Sequence, residues 1–222
     1  MNTSVLKPPV NLPLTWDVVK QHLRVDELSL GEHADNEQQY IMNVLLASAA
    51  KTATRILRQA LIETQYETRC FPHELRRAAG FPVLSLPWAN VLSVDAVTYG
   101  GEALTAGTDY RVPMDSEDKP LFPGQVIFAS GLFGGCCGGG WYGGSWCGCW
   151  PTLEEAAEDL LVVSYSAGFG TDPDDVPADI QNWLLLRVGA TYSNREETAD
   201  VRNIASLPFI DELLGDRNYR FS

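Results

Sequence analysis

Four cysteines crowded into one glycine-rich stretch, Cys136, Cys137, Cys147 and Cys149, are the residues of this 222-residue chain closest to a chemical constellation. Four thiolates could close a tetrahedral Zn²⁺ site. Zinc cysteines usually stand two to four residues apart, so that sulfurs and backbone amides wrap the metal together, and the adjacent Cys136 and Cys137 do not wrap it easily. The same stretch, residues 131–150, holds nine glycines and five aromatic residues, Phe133, Trp141, Tyr142, Trp146 and Trp150. Large rings are costly to leave in water and dominate contact energy, so a loop that packs its rings on a partner competes with the metal reading and is preferred to it. No metal is expected. A second cluster, Asp172, Asp174, Asp175 and Asp179, lacks the regular alternation of a calcium loop and better fits the positive end of a helix. His22 and His33 stand without a second ligand at metal spacing. The chain has no HExxH, no GxxxxGK[ST], no Rossmann GxGxxG after a strand and no supported Ser-His-Asp order, so neither a catalytic role nor a cofactor is expected.

The elements that would position these groups begin with residues 161–196. Val162, Val163 and Tyr165 make a short strand that Gly168 and Gly170 interrupt. Asp174 or Asp175 is expected to cap a helix that starts near Pro177, and Ile180, Trp183, Leu184 and Val188 fall on one face of it. A second long helix is expected from about Asp35 to Gln59, about 37 Å if straight, with Tyr40, Ile41, Val44, Leu45, Ser48, Thr52, Ile56 and Leu57 as its stripe. Its alanines suit close pairing with the later helix. A short helix near residues 15–24 has Thr15 as N-cap.

The period then switches. Ile62, Thr64, Tyr66 and Thr68 alternate with Glu63, Gln65, Glu67 and Arg69, as in a half-buried strand. Further strands are expected near Val91–Tyr99, Thr108–Val112 and Gln125–Ala129. The class is α+β: an antiparallel helical core of two long helices and short terminal helices, with a small, mostly antiparallel sheet inserted between the long helices. The expected divisions are an arm at 1–13, loose or lying on a neighbouring subunit, a helical core at 14–61 and 171–196, a β-rich insert at 62–170, and a terminal segment at 197–222. In that last segment Leu207, Phe209, Leu213 and Leu214 form an apolar edge that Pro208 can start, ahead of a basic aromatic tail with Arg217, Tyr219, Arg220 and Phe221.

Composition narrows the function. A formal net charge of -13 argues against tight binding of nucleic acid, because affinity for phosphates comes from Lys and Arg displacing counterions. No signal peptide and no run of about eighteen apolar residues is present, so the reading is a protein made in a cytosol. An odd number of cysteines, mostly in one loop, does not make a disulfide framework.

The phrases TWDVVKQHLRVD, LSVDAVTY, DYRV and QVIFA, then Tyr165, Gly168–Gly170, Val176–Pro177, Tyr192 and Asn194–Glu196, and LPF near the end, follow one another as in the head-tail connector, or head-completion, proteins of tailed bacteriophages. The resemblance runs from Leu14 onward. Residues 131–150 depart from the family's pattern and look like an insertion. The resemblance implies a structural adaptor in the virion, assembled in the host bacterial cytoplasm, in a dodecameric ring below the portal through which genome DNA passes without sequence-specific binding. It implies portal docking by Leu207, Pro208, Phe209, Leu213, Leu214, Arg217, Tyr219, Arg220 and Phe221. The rings of 131–150 would then contact another subunit or the next neck or tail-completion protein. The alternative is a binding module outside viruses with a cysteine-rich metal loop.

Overall fold

A computed structural model describes residues 1–25, 33–114, 120, 122–129, 132 and 160–193. The chain divides into two compact units, Met1–Lys7 with Gln65–Ser166, and Pro8–Thr64 with the chain from Ala167 onward.

The first unit is built on two sheets where one was expected. Strands β1 (Asn2–Lys7), β2 (Thr64–Cys70), β3 (Arg76–Ala78), β4 (Phe81–Ser85), β5 (Val91–Tyr99), β6 (Glu102–Ala103), β7 (Tyr110–Arg111), β8 (Gln125–Phe128) and β9 (Leu161–Ala167) follow in chain order. A five-stranded sheet has the order β1-β2-β9-β5-β6, and a four-stranded sheet the order β3-β4-β8-β7. The pairs β1 with β2, β5 with β6, β3 with β4, β4 with β8 and β7 with β8 are antiparallel.

Alternation explains β2. Thr64, Tyr66, Thr68 and Cys70 are buried and the residues between them are not, as a strand with one covered face requires. Tyr66 stacks on Tyr165 of β9 with ring centroids 5.7 Å apart and meets Trp88 at 5.2 Å. The Thr68 hydroxyl donates to the Tyr165 hydroxyl at 3.4 Å and lies 2.9 Å from that of Thr3. Burial pushes the Tyr165 phenol well above its ordinary pKa. In the smaller sheet Val83, Leu84, Val126, Phe128 and Tyr110 are buried.

Of the arm expected at 1–13, Asn2–Lys7 is instead a strand. Asn2–Lys7 pair with Arg69–Gln65 of the same chain, with a bulge between Val5 and Lys7, so the segment is the edge strand of its own sheet. The Met1 ammonium is held by Glu74.

In the second unit α1 is Trp16–Leu23, closed by Arg24 in the left-handed region, and Thr15 precedes it without a side-chain cap bond. The helix expected over 35–59 is three successive segments, α2 (Ala34–Tyr40), a π-helical stretch Ile41–Leu46, and α3 (Ala47–Leu57). A π turn closes its hydrogen bond one residue further along than an α turn, so the buried face shifts. The buried residues are Ile41, Leu46, Ala49, Ala53 and Leu57, whereas Val44 is 51% and Ile56 36% exposed. The expected stripe is therefore off by the extra residue of the π segment. Helix α4, Ala178–Ser193, buries Ile180, Trp183, Leu184 and Val188, and these form one core with that face, Leu14, Val19, Leu61, Ile62 and Val176.

Ahead of α4, Asp175 does not act as the expected helix cap. Its carboxylate accepts the Asp172 N–H at 3.1 Å, closing the 3-10 turn Pro173–Asp175. Gln181 instead reaches back from α4 to the carbonyls of Pro173 and Val176, at 3.0 and 2.9 Å.

Two connecting segments run side by side where the chain enters and leaves the sheet. Glu63 N–H donates to Gly170 O at 2.8 Å and Phe169 N–H to Leu61 O at 3.4 Å. A Cβ at Gly168 would lie 2.6 to 2.8 Å from backbone atoms of Glu63 and Ile62, which have no rotamer by which to move aside. Gly168→Ala should cost about 1–3 kcal/mol through the forced backbone shift. Urea unfolding should show it as a lower midpoint at unchanged slope.

Candidate interaction surfaces

The ring-bearing residues Phe133, Trp141, Tyr142, Trp146 and Trp150 lie outside the described residues. So do Cys136, Cys137, Cys147 and Cys149, and the terminal set Leu207, Pro208, Phe209, Leu213, Leu214, Arg217, Tyr219, Arg220 and Phe221.

The other sequence candidates are placed. Asp172 and Asp175 close the turn before α4, Asp179 lies in the first turn of that helix, and among the described residues no cluster of His, Cys, Asp or Glu could hold a metal ion. His22 packs α1 onto α4, its Nε2 lying 3.4 Å from the point where a Cβ on Gly189 would sit. His33 is exposed beside the first turn of α2. Cys70 is a buried free thiol that burial, aided by the Glu74 carboxylate, pushes up to about 11, so the inert neutral form dominates at neutral pH. Glu74 itself is held below the usual carboxylate range by the Met1 ammonium and the Phe71 N–H.

Among the described residues the structure adds strand edges without a strand partner and exposed apolar residues that periodicity did not single out. In β1, Val5 and Leu6 are each 53% exposed, and Val10 just beyond is 84% exposed. Leu92 on β5 is 38% exposed. The smaller sheet carries an open cavity of about 220 Å³ between Phe81, Tyr110, Arg111 and Phe128. A sequence signal for β1 existed in the Val5-Leu6 pair, an apolar step inside a polar segment.

No sequence-family model matches the chain, and no curated protein sequence matches it. Solved structures do match. A chain in the virion of a native gene transfer agent particle aligns over 100% of this chain and 97% of its own length, at 18% identity and a TM-score of 0.65. A chain in the neck of the empty particle, computed with C6 symmetry, aligns over the same shares at 17% identity and 0.66. The fold is that of a particle-neck chain. A further match, in the neck of the native particle computed with C12 symmetry, covers the same shares at 16% identity and 0.59. The neck fold thus accounts for the whole mixed helix-and-sheet chain and not for one unit alone. No helix among the described residues is long and apolar enough to cross a membrane.

Proposed function

We propose that the chain is a structural head-tail adaptor of a tailed phage or phage-like particle, with no catalytic role. The observation that carries this reading is the full-length match to neck chains, including one in a neck computed with C12 symmetry. In this reading copies of the chain, twelve in the simplest case, form a ring below the portal. The helical run 34–57 and α4 give the ring its helical core, and the ring extends the DNA channel toward the next neck or tail-completion protein. The formal charge of -13 then has a use, because a negative channel wall repels phosphate and lets the genome slide. The protein would be assembled in the bacterial host and reside in the virion. Negative-stain imaging of the purified protein mixed with its portal tests this. Rings seated on the portal are expected; a chain that stays monomeric even with portal present would overturn the proposal.

Within that ring the glycine-aromatic segment 131–150 makes protein contacts and holds no metal. Replacing Cys136, Cys137, Cys147 and Cys149 together by Ser should leave ring formation unchanged, and elemental analysis of the purified protein should find no stoichiometric zinc. One zinc per chain, lost in the quadruple variant, would return the segment to metal chemistry.

A further inference from the structure

Within the five-stranded sheet the inner and outer strands have different burial. Along β9 the odd positions Leu161, Val163 and Tyr165 are fully buried, and β2 alternates cleanly. Strand β1, in contrast, is exposed at every residue but Thr3. Strand β5 is exposed at Leu92, Ser93, Asp95 and Ala96, on both parities of the strand. A strand exposed on both parities has neither face fully covered.

Among the described residues the outer edges of both strands are open as well. β1 ends the sheet, and β6 pairs with β5 only at Thr98 and Tyr99, which leaves the outer edge of Val91–Ala96 without a strand partner among the described residues. The two open edges have the same length, six residues each, or roughly 20 Å of backbone. They differ in charge. β1 ends in Lys7, while the β5 edge is flanked by Glu102 of β6; the Asp95 carboxylate on β5 accepts from Ser93 and from Ser166 of β9. Both present exposed apolar side chains, Val5 and Leu6 on one and Leu92 on the other.

We infer that β1 of one copy adds to the outer edge of β5 in the next copy, so that the five-stranded sheets join edge to edge around the ring. This rests on the ring reading above and names the surface that closes it. A ring of identical chains needs two different, complementary patches on each subunit, and the two unlike edges of this sheet supply them. Added strands gain backbone hydrogen bonds along the edge and place alternate side chains against the neighbour. The bulge at Leu6 and the charge of Lys7 are devices that deter indiscriminate edge pairing. Beside Glu102 at the end of the β5 edge the lysine meets opposite charge, which favours joining of the two unlike edges.

The test places a photoactivatable benzophenone amino acid at Leu6 in the full chain, mixes that protein with an isotope-labelled chain of natural sequence, and irradiates the rings after native mass spectrometry has established their copy number. Adducts mapped by peptide mass spectrometry should join the probe to the labelled chain within residues 91–96. Rings whose adducts fall elsewhere, on residues 2–7 of the other copy or only within the probe's own chain, would overturn the edge pairing and leave the ring standing. A chain that never leaves the monomer would overturn both.

Discussion

A chain cut after Ser206 is expected to fold and yet to lose its hold on portal-bearing heads. Every core side chain described above precedes residue 194, so the truncated protein should keep the circular dichroism and unfolding midpoint of the full chain. What it loses is the apolar edge Leu207, Phe209, Leu213 and Leu214 and the tail with Arg217, Tyr219, Arg220 and Phe221, the basic end of an acidic chain. Each buried Leu or Phe stabilises a contact by roughly 1.5–3 kcal/mol, while ordering backbone costs about 1–2 kcal/mol per residue, so one tail binds weakly. In a ring the other tails act at high effective concentration, and avidity about 10²–10⁴ above a single site follows. Truncation should therefore lower head attachment by at least about a hundredfold in co-sedimentation and leave capsids that leak DNA. Normal binding of the truncated chain, or its failure to fold, would give the segment a different role.

The largest expected loss of stability from one substitution is at Trp183. Its side chain is 2% exposed in the core shared by α4, α3 and the π segment. Trp183→Ala should cost about 3–5 kcal/mol, the lost transfer energy plus the cavity left behind. Such a cost is a large part of the roughly 5–15 kcal/mol that holds a domain together. Trp183→Phe is the informative control. The indole N–H is buried with no hydrogen-bond partner among the described residues, so Phe removes that unmatched group and keeps most of the ring. Thermal unfolding should rank the natural chain close to Trp183→Phe and far above Trp183→Ala. Equal loss in both would mean that the N–H has a partner, and that the ring contributes less than its burial implies.

Periodicity was a good guide where one face of an element is covered, and a poor one elsewhere. β2, β5, β8 and β9 stand near their expected positions because alternation or an apolar run marks them, and α4 follows the apolar face read from Ile180 to Val188. β1 was missed as a strand because an edge strand open on both faces has nothing to alternate. The β3–β4 hairpin was missed for two local reasons. Its turn places Ala79 and Gly80 both at positive φ, a conformation usually announced by Asn-Gly or Asp-Gly. Pro82, which ordinarily argues against an inner strand, lies on the part of β4 that pairs with β3, and pairing with β8 begins only at Val83. The π segment left no mark in composition, and it displaced the expected stripe of the long helix. The acidic cluster was legible as helix-end chemistry, but the division of labour between Asp175 and Gln181 depends on a 3-10 turn that spacing does not announce.

The sheet order β1-β2-β9-β5-β6 has a consequence for how the chain is made. β2 and β5 are not neighbours; the strand between them, β9, leaves the ribosome roughly 60 residues after β5 ends, about 3–12 s later at ordinary synthesis rates. Until then the nascent protein carries two half-sheets with bare inner edges, one on β2 and one on β5. A chaperone that shields β-edges during that interval would raise the yield of this chain, and a ribosome that stalls before residue 161 would release a product built to aggregate.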